Sequence, residues 1–177
     1  SFYIGVTGEK ISGTKMWSND YTINHQYCCT GGMATTGSLT RWIRDEMAKE
    51  LLLQEETGGE NAYAALFKEA EGIPVGSDGL IVLPYFQGER MPIQDPKAKG
   101  VLFGLSLQHT RGHIIHAAFE GVGYGISQNL QLFADAGIEI GRVTAVGGGT
   151  KSLQWLQIVS DICGITQEVP EVTVGAS

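Results

Sequence analysis

The sequence predicts an α/β domain with a mixed sheet and flanking helices. Short apolar, β-branched runs alternate with stretches of helical periodicity through most of the chain. Glycine clusters stand where one kind of run gives way to the other. With 177 residues, 42% hydrophobic and 18% charged, the chain is long and apolar enough for one packed core, which excludes whole-chain disorder. Twenty-five glycines beside 5 prolines point to many tight turns and away from collagen or low complexity.

The elements follow in order. Apolar and β-branched residues over 1–6 and 11–16 flank Thr7-Gly8-Glu9-Lys10, which predicts a hairpin. After a polar stretch from Trp17 to Asn24, Gln26 to Cys29 reads as a short strand that Thr30-Gly31-Gly32 ends. Leu39, Trp42, Ile43, Met47 and Leu51 recur at helical spacing with Glu46 as a polar member, and Thr35, Thr36 or Ser38 is the candidate cap. The polar segment 55–60 leads to a second amphipathic helix over Ala62 to Ala70, closed by Gly72 in a left-handed conformation.

Leu80 to Leu83 and Val101 to Leu105 read as buried strands. Between them the segment 84–96 carries three prolines and is neither helix nor central strand, so it is an ordered loop. From Thr110 to about Ala136 the stripe Ile114, Ala117, Ala118, Val122, Ile126, Leu130 and Phe133 marks the longest helix. Along it Ala117, Gly121 and Gly125 recur every fourth residue. Each glycine costs about 1 kcal/mol of helix propensity, which argues for close backbone packing. Gly137 closes this helix, Val143 to Val146 forms a strand, Gly147-Gly148-Gly149 turns, Lys151 to Cys163 returns to helical spacing before Gly164, and Ile165 to Val169 adds an edge strand.

Charge and ligand chemistry narrow the function classes. Nineteen acidic against 12 basic residues give a net charge of −7, which offers no footprint for nucleic acid or an anionic membrane. Three cysteines, two of them adjacent at Cys28 and Cys29, make a poor disulfide framework and fit a reducing cytoplasm. No Cys-x-x-Cys and no His-Glu-x-x-His is present, so no metal site is predicted. No apolar run approaches the roughly 18 residues that span a bilayer.

The sharpest local feature is strand Val143 to Val146 running into Gly147-Gly148-Gly149-Thr150-Lys151-Ser152 and then a helix. Glycines let a ligand touch main chain, and a helix N-terminus offers oriented N–H donors. Neither familiar phosphate cradle fits: the P-loop pattern needs glycines where Ala145 and Thr150 stand, and the dinucleotide pattern needs one at Ser152. By themselves the three glycines serve a nucleotide site or a plain tight turn equally well.

Three longer motifs decide between these. Gly100-Val-Leu-Phe-Gly104-Leu105, seven further residues and then His113-Ile-Ile-His-Ala117-Ala118-Phe119-Glu120 resembles the second signature of the FGGY carbohydrate kinases. The loop Leu83-Pro-Tyr-x-x-Gly-Glu-Arg-x-Pro92 followed by Asp95-Pro96, and the turn Gly147 to Ser152, are similar to that family in order and spacing. The resemblance covers nearly the whole chain, from Ser1, similar to the residue at or just after a Gly-Thr-Ser phosphate loop, to Gly175-Ala176-Ser177, similar to the start of a final helix.

The resemblance implies a two-domain kinase of the actin and Hsp70 ATPase superfamily with ribonuclease H-like domains. Residues 1–177 would be most of the C-terminal, nucleotide-side domain, and the sugar-side domain would lie outside them. ATP with Mg²⁺ would be the phosphoryl donor, and a sugar or polyol, with a pentulose such as xylulose favoured by the Gly-Glu-Arg loop, the acceptor. Nucleotide contacts would fall on Gly148, Gly149 and Thr150, with Leu153 beside the base, and Gly37 and Arg41 would also flank the nucleotide. Arg41 departs from the glutamine of the glycerol-kinase branch, so it is either a base contact or a solvated arginine. The catalytic carboxylate of the family precedes Ser1, so no residue here is assigned to catalysis and the chain alone is expected to be inactive. A homodimer is compatible with the sequence. Glu89 and Arg90 are expected to pair and hold the proline-rich loop, His113 to serve a local bond at a helix start, and Glu120 keeps an open role. The competing readings are a non-catalytic actin/Hsp70-like nucleotide switch and, against the failed glycine pattern, a dinucleotide-dependent dehydrogenase.

Overall fold

The computed structural model describes residues 2–12 and 15–171; the expected start of a final helix at 175–177 lies outside them. The first sheet contains β1 (Phe2–Thr7), β2 (Trp17–Asp20) and β3 (Tyr27–Gly32), all antiparallel, in the order β1-β3-β2. Among the described residues the expected hairpin between 1–6 and 11–16 does not form. Instead β1 pairs with β3, with Ile4 opposite Thr30 and Thr7 opposite Tyr27, and Trp17 of the supposedly polar stretch pairs with Thr30 from the other side. The apolar residues of 11–16 have another use: Met16 is buried with Cys29, Met91 and Phe133, and Ile11 packs against them. Nor does Thr30-Gly31-Gly32 break β3. A side chain at Gly31 would stand 3.3 Å from Asn129 Oδ1, so glycine there lets the strand run close under its neighbour.

The helix expected across 39–51 is two helices, α1 (Gly37–Met47) and α2 (Lys49–Glu56), separated at Ala48 by φ −136°, ψ 39°. Leu39, Ile43 and Leu51 nonetheless enter one core, which is why the periodicity reads as continuous. Thr36 is the N-cap residue of α1 by position, yet it makes no side-chain cap bond. Helix α3 (Ala62–Lys68) is capped by Asn61, whose Oδ1 accepts the Ala64 N–H, and Gly72 beyond it has the expected positive φ of 82°.

Strands β4 (Ile81–Leu83) and β5 (Val101–Phe103) form an antiparallel ribbon. They are not buried on both faces as expected: Val82 points into the core, whereas Ile81, Leu83, Val101 and Phe103 face outward. Helix α4 (Arg111–Asp135) packs on this ribbon and is the longest element among the described residues. Last come β6 (Val143–Thr144), α5 (Leu153–Cys163) ending at Gly164 with φ 63°, and β7 (Gln167–Glu168), which pairs parallel with β6. The mixed α/β composition is as predicted, with the strands divided among three small sheets.

One core joins these layers. Leu39 and Ile43 of α1, Leu66 of α3, Val82 of β4, and Ile115, Phe119 and Val122 of α4 are its buried members. Trp155 of α5 stacks on Phe119 with centroids 5.0 Å apart and planes at 18°, fixing α5 and the turn before it against α4. All three cysteines are free. Among the described residues no helix is long and apolar enough to cross a membrane, and no group of three or more His, Cys, Asp or Glu side chains is placed to hold a metal.

Candidate functional site

The glycine turn is built from its own main chain. Gly147 has φ 96° and ψ −172°, a backbone state open essentially to glycine. Residues Gly148–Lys151 then make a single 3₁₀ turn in which the Thr150 N–H and hydroxyl both donate to the Gly147 carbonyl, at 3.1 and 2.8 Å. Ser152 caps α5 by accepting the Trp155 N–H at 3.2 Å. A side chain at Gly148 would meet nothing within 4 Å, and one at Gly149 would rest 3.4 Å from the Trp155 ring. The turn is therefore open on one side and backed by an anchored indole on the other.

That open side borders a cleft of about 780 Å³. Thr36, Gly37 and Thr40 at the start of α1 and Tyr63, Ala64 and Phe67 on α3 form the walls opposite Gly148, Gly149, Thr150 and Lys151. A side chain at Gly37 would also meet nothing within 4 Å, so main chain is accessible from two directions. The structure thus brings together Gly37, Gly148, Gly149 and Thr150. Arg41 and Leu153 lie outside the lining: Arg41 is exposed one residue beyond Thr40, which occupies the wall in its stead, and Leu153, at the first position of α5, is 81% exposed. Sequence reasoning missed Tyr63 and Phe67, whose i, i+4 spacing on an amphipathic helix reads as core. Their rings sit 5.8 Å apart, with Arg44 held 4.5 Å over the Tyr63 ring. It also missed Lys151.

A second constellation explains Glu120. Ser77 and Asp78 adopt φ values of 48° and 52°, a left-handed backbone that is strained for residues with side chains. Glu120, buried on α4, holds this turn: Oε1 accepts the Gly76 N–H at 2.7 Å and Oε2 accepts the Ser77 hydroxyl at 2.7 Å. His116 Nδ1 is 2.9 Å from Ser77 Oγ and, because that hydroxyl gives its own hydrogen to Glu120, is the donor of the pair; it lies 3.6 Å from Glu120 Oε2, where the interaction is electrostatic. Burial pushes the Glu120 carboxyl up, but the contacts from His116, Ser77 and the Gly76 N–H outweigh it and hold the group below the ordinary glutamate value. His113 performs a related local task. Its Nδ1 accepts the Thr110 N–H at 3.1 Å and its Nε2 faces Asp78 Oδ2 at 3.2 Å. With Ser77 wholly buried, this network is a fastening between the 76–79 turn and α4.

Glu89 and Arg90 anchor the proline-rich loop, though not as the expected ion pair. Glu89 Oε1 accepts the Ala34 N–H at 2.8 Å and the Arg90 N–H at 2.7 Å, and Arg90 Nη2 donates to the Met33 carbonyl at 2.9 Å. Both side chains thus tie the loop to the segment between β3 and α1, close behind the cleft wall at Thr36.

The arrangement is matched in known proteins. The sequence model for the FGGY family of carbohydrate kinases, C-terminal domain, matches residues 1–177. A gluconokinase of Bacillus subtilis (strain 168) is 37% identical over 153 residues, 85% of this chain and 30% of that protein. A xylulose kinase of the same organism is 37% identical over 101 residues, 57% of this chain and 20% of that protein. The crystal structure of xylulose kinase from Rhodospirillum rubrum matches with a TM-score of 0.80 at 32% identity, over 95% of this chain and 32% of that one. This chain therefore spans less than a third of the length of these relatives. It belongs to the FGGY family of carbohydrate kinases, as a C-terminal domain with the ribonuclease H-like fold of actin/Hsp70-type ATPases.

Proposed function

We propose that this chain is the nucleotide-side domain of an ATP-dependent carbohydrate kinase. The reading is carried by the open main chain at Gly148 and Gly149, which faces Gly37 across one cleft in a chain of this family. The cleft fits an adenosine: glycine edges allow close approach, and Tyr63, Phe67 and the Trp155 indole give flat apolar walls. Thr36, Gly37, Thr40, Gly148, Gly149 and Thr150 would hold the nucleoside. Arg41 and Leu153 would take part only after movement toward the lining. Among the described residues no carboxylate lines the cleft, so Mg²⁺ would be brought in by the nucleotide rather than held by these side chains, and its charge would help neutralise the transferring phosphoryl group.

The chain's residues would bind and orient the donor, and the acceptor hydroxyl and its base would come from the remainder of the protein. Phosphoryl transfer needs donor, metal and hydroxyl positioned together, so the 177 residues alone are expected to show no turnover. The resemblance to gluconokinases and xylulose kinases makes a sugar acid or a pentulose the acceptor, with xylulose the first choice on the Gly-Glu-Arg loop. A cytoplasmic setting follows from such a role.

The test is ADP release by the complete protein with ATP, Mg²⁺ and a panel of xylulose, gluconate, ribulose and glycerol. ADP release that depends on one of these acceptors is expected. Hydrolysis indifferent to all of them, but coupled to release of a protein partner, overturns the kinase in favour of a nucleotide switch.

A further inference from the structure

We propose that Lys151 selects the phosphorylated form of the nucleotide, pairing its ammonium with the phosphate chain so that the cleft takes ADP and ATP in preference to adenosine. This rests on reading the cleft as the nucleotide site. The first observation is charge. Apart from Lys151 the cleft walls consist of glycine, alanine, hydroxyl, amide, aromatic and aliphatic side chains, and Lys151 is the one Lys, Arg, Asp or Glu in the lining among the described residues. In a chain of net charge −7, a phosphate approaching this cleft meets no carboxylate in the lining and a single cation. Partly enclosed walls screen that attraction less than open solvent would.

The second observation is that this cation is uncommitted. Arg44 pairs with Asp45, Lys49 with Glu46, Lys68 with Glu60, Arg111 with Glu50 and Glu69, and Arg142 with Glu168. Lys151 is exposed and its ammonium has no hydrogen-bond or ion-pair partner among the described residues. A ligand gaining this ammonium breaks no internal pair to obtain it.

The third observation is placement. Lys151 closes the 3₁₀ turn whose Gly148 and Gly149 line the cleft, so its four-carbon arm starts at the cleft's edge. Two residues on, α5 begins with no acidic side chain in its first turn, and the positive end of its dipole lies at the same place. A flexible ammonium at that point can follow the phosphates of either nucleotide, a contact an uncharged nucleoside lacks.

The experiment uses the complete protein and isothermal titration with adenosine, ADP and ATP at two salt concentrations, for the parent, Lys151→Gln and Lys151→Arg. Removing one charge-assisted contact is expected to weaken ADP about tenfold and ATP at least as much, while adenosine stays within about twofold. Lys151→Arg restores most of the ADP affinity, and the salt dependence of ADP binding flattens in Lys151→Gln. Equal weakening of adenosine and ADP places the ammonium on base or ribose and overturns the proposal, as does unchanged ADP affinity. If the parent binds neither adenosine nor ADP, the nucleotide reading of the cleft falls, and this role falls with it. A parent that binds adenosine separates the two failures.

Discussion

Gly121→Ala tests the packing of α4 on β4. On α4, a Cβ at residue 121 would lie 2.2 Å from the Val82 carbonyl oxygen and 3.2 Å from the Val82 carbonyl carbon. Ordinary contact begins at 3.4 Å, so α4 and β4 must separate by about 1 Å. The obstacle is main chain of the paired ribbon, and no rotamer change relieves it. Alanine gains about 1 kcal/mol of helix propensity. Overpacking against a fixed neighbour costs about 1–3 kcal/mol, and the overlap here belongs at the upper end. The expected net loss is about 1–2 kcal/mol, a fall of about 2–8 °C in Tm for a domain of this size. Gly125→Ala is the internal control. Its new methyl meets Met33 Cε and Sδ at 2.3 and 2.7 Å, the flexible end of a thioether that can repack, so its loss stays below that of Gly121→Ala. Thermal unfolding followed by far-UV circular dichroism measures both. A Gly121→Ala protein as stable as the parent, or Gly125→Ala the worse of the two, refutes this packing argument.

Two further predictions separate folding from binding and set the pH response. Gly148→Ala, with nothing within 4 Å, leaves Tm unchanged while ADP affinity falls about tenfold, whereas Gly147→Ala, forced into φ 96°, loses about 1–3 kcal/mol of stability; thermal shift and titration calorimetry read the pair. Glu120 has a folded-state pKa below its unfolded value, so the unfolded chain binds its proton first as pH falls. Its contribution is present above the ordinary glutamate range and is lost on acidification through the lowered folded-state value. Tm measured from pH 7 down to pH 3 is expected to fall more steeply in the parent than in Glu120→Gln, and identical slopes would contradict the network described for Ser77, His116 and Glu120.

Much of the fold is legible in periodicity because periodicity reports burial. Of the stripe expected on α4, Ala117, Ala118, Val122 and Phe133 are buried while Ile114, Ile126 and Leu130 are half-buried, and the buried Ile115 and Phe119 lie outside it; the four-residue spacing of Gly121 and Gly125 belongs to α4 pressed on β4 and on Met33. Glycines at positive φ, such as Gly72, Gly137 and Gly164, mark helix ends for a reason local to each residue. What periodicity does not report is partner choice. Ile11 and Met16 look like a strand arm, but they serve as a plug for a second cluster, and β1 finds β3 across the intervening segment 8–26. The break at Ala48 is equally silent, since alanine is a strong helix former and both helices feed one core. At the cleft, Gly37 and the 147–152 turn were legible through motif and glycine chemistry. Tyr63 and Phe67 were not, because an aromatic on an amphipathic helix carries the same signal whether it faces a core or a cleft. Glu89 is ambiguous for a related reason: adjacent opposite charges look like a pair, while in the structure the carboxylate accepts two backbone N–H groups.

A crystal structure of the complete protein with ADP would bear on the nucleotide site without intermediaries. Adenosine density against the main chain of Gly148 and Gly149, facing Gly37, is the predicted result. Well-ordered ADP outside this cleft, with Gly148 and Gly37 still solvent-facing, would contradict it.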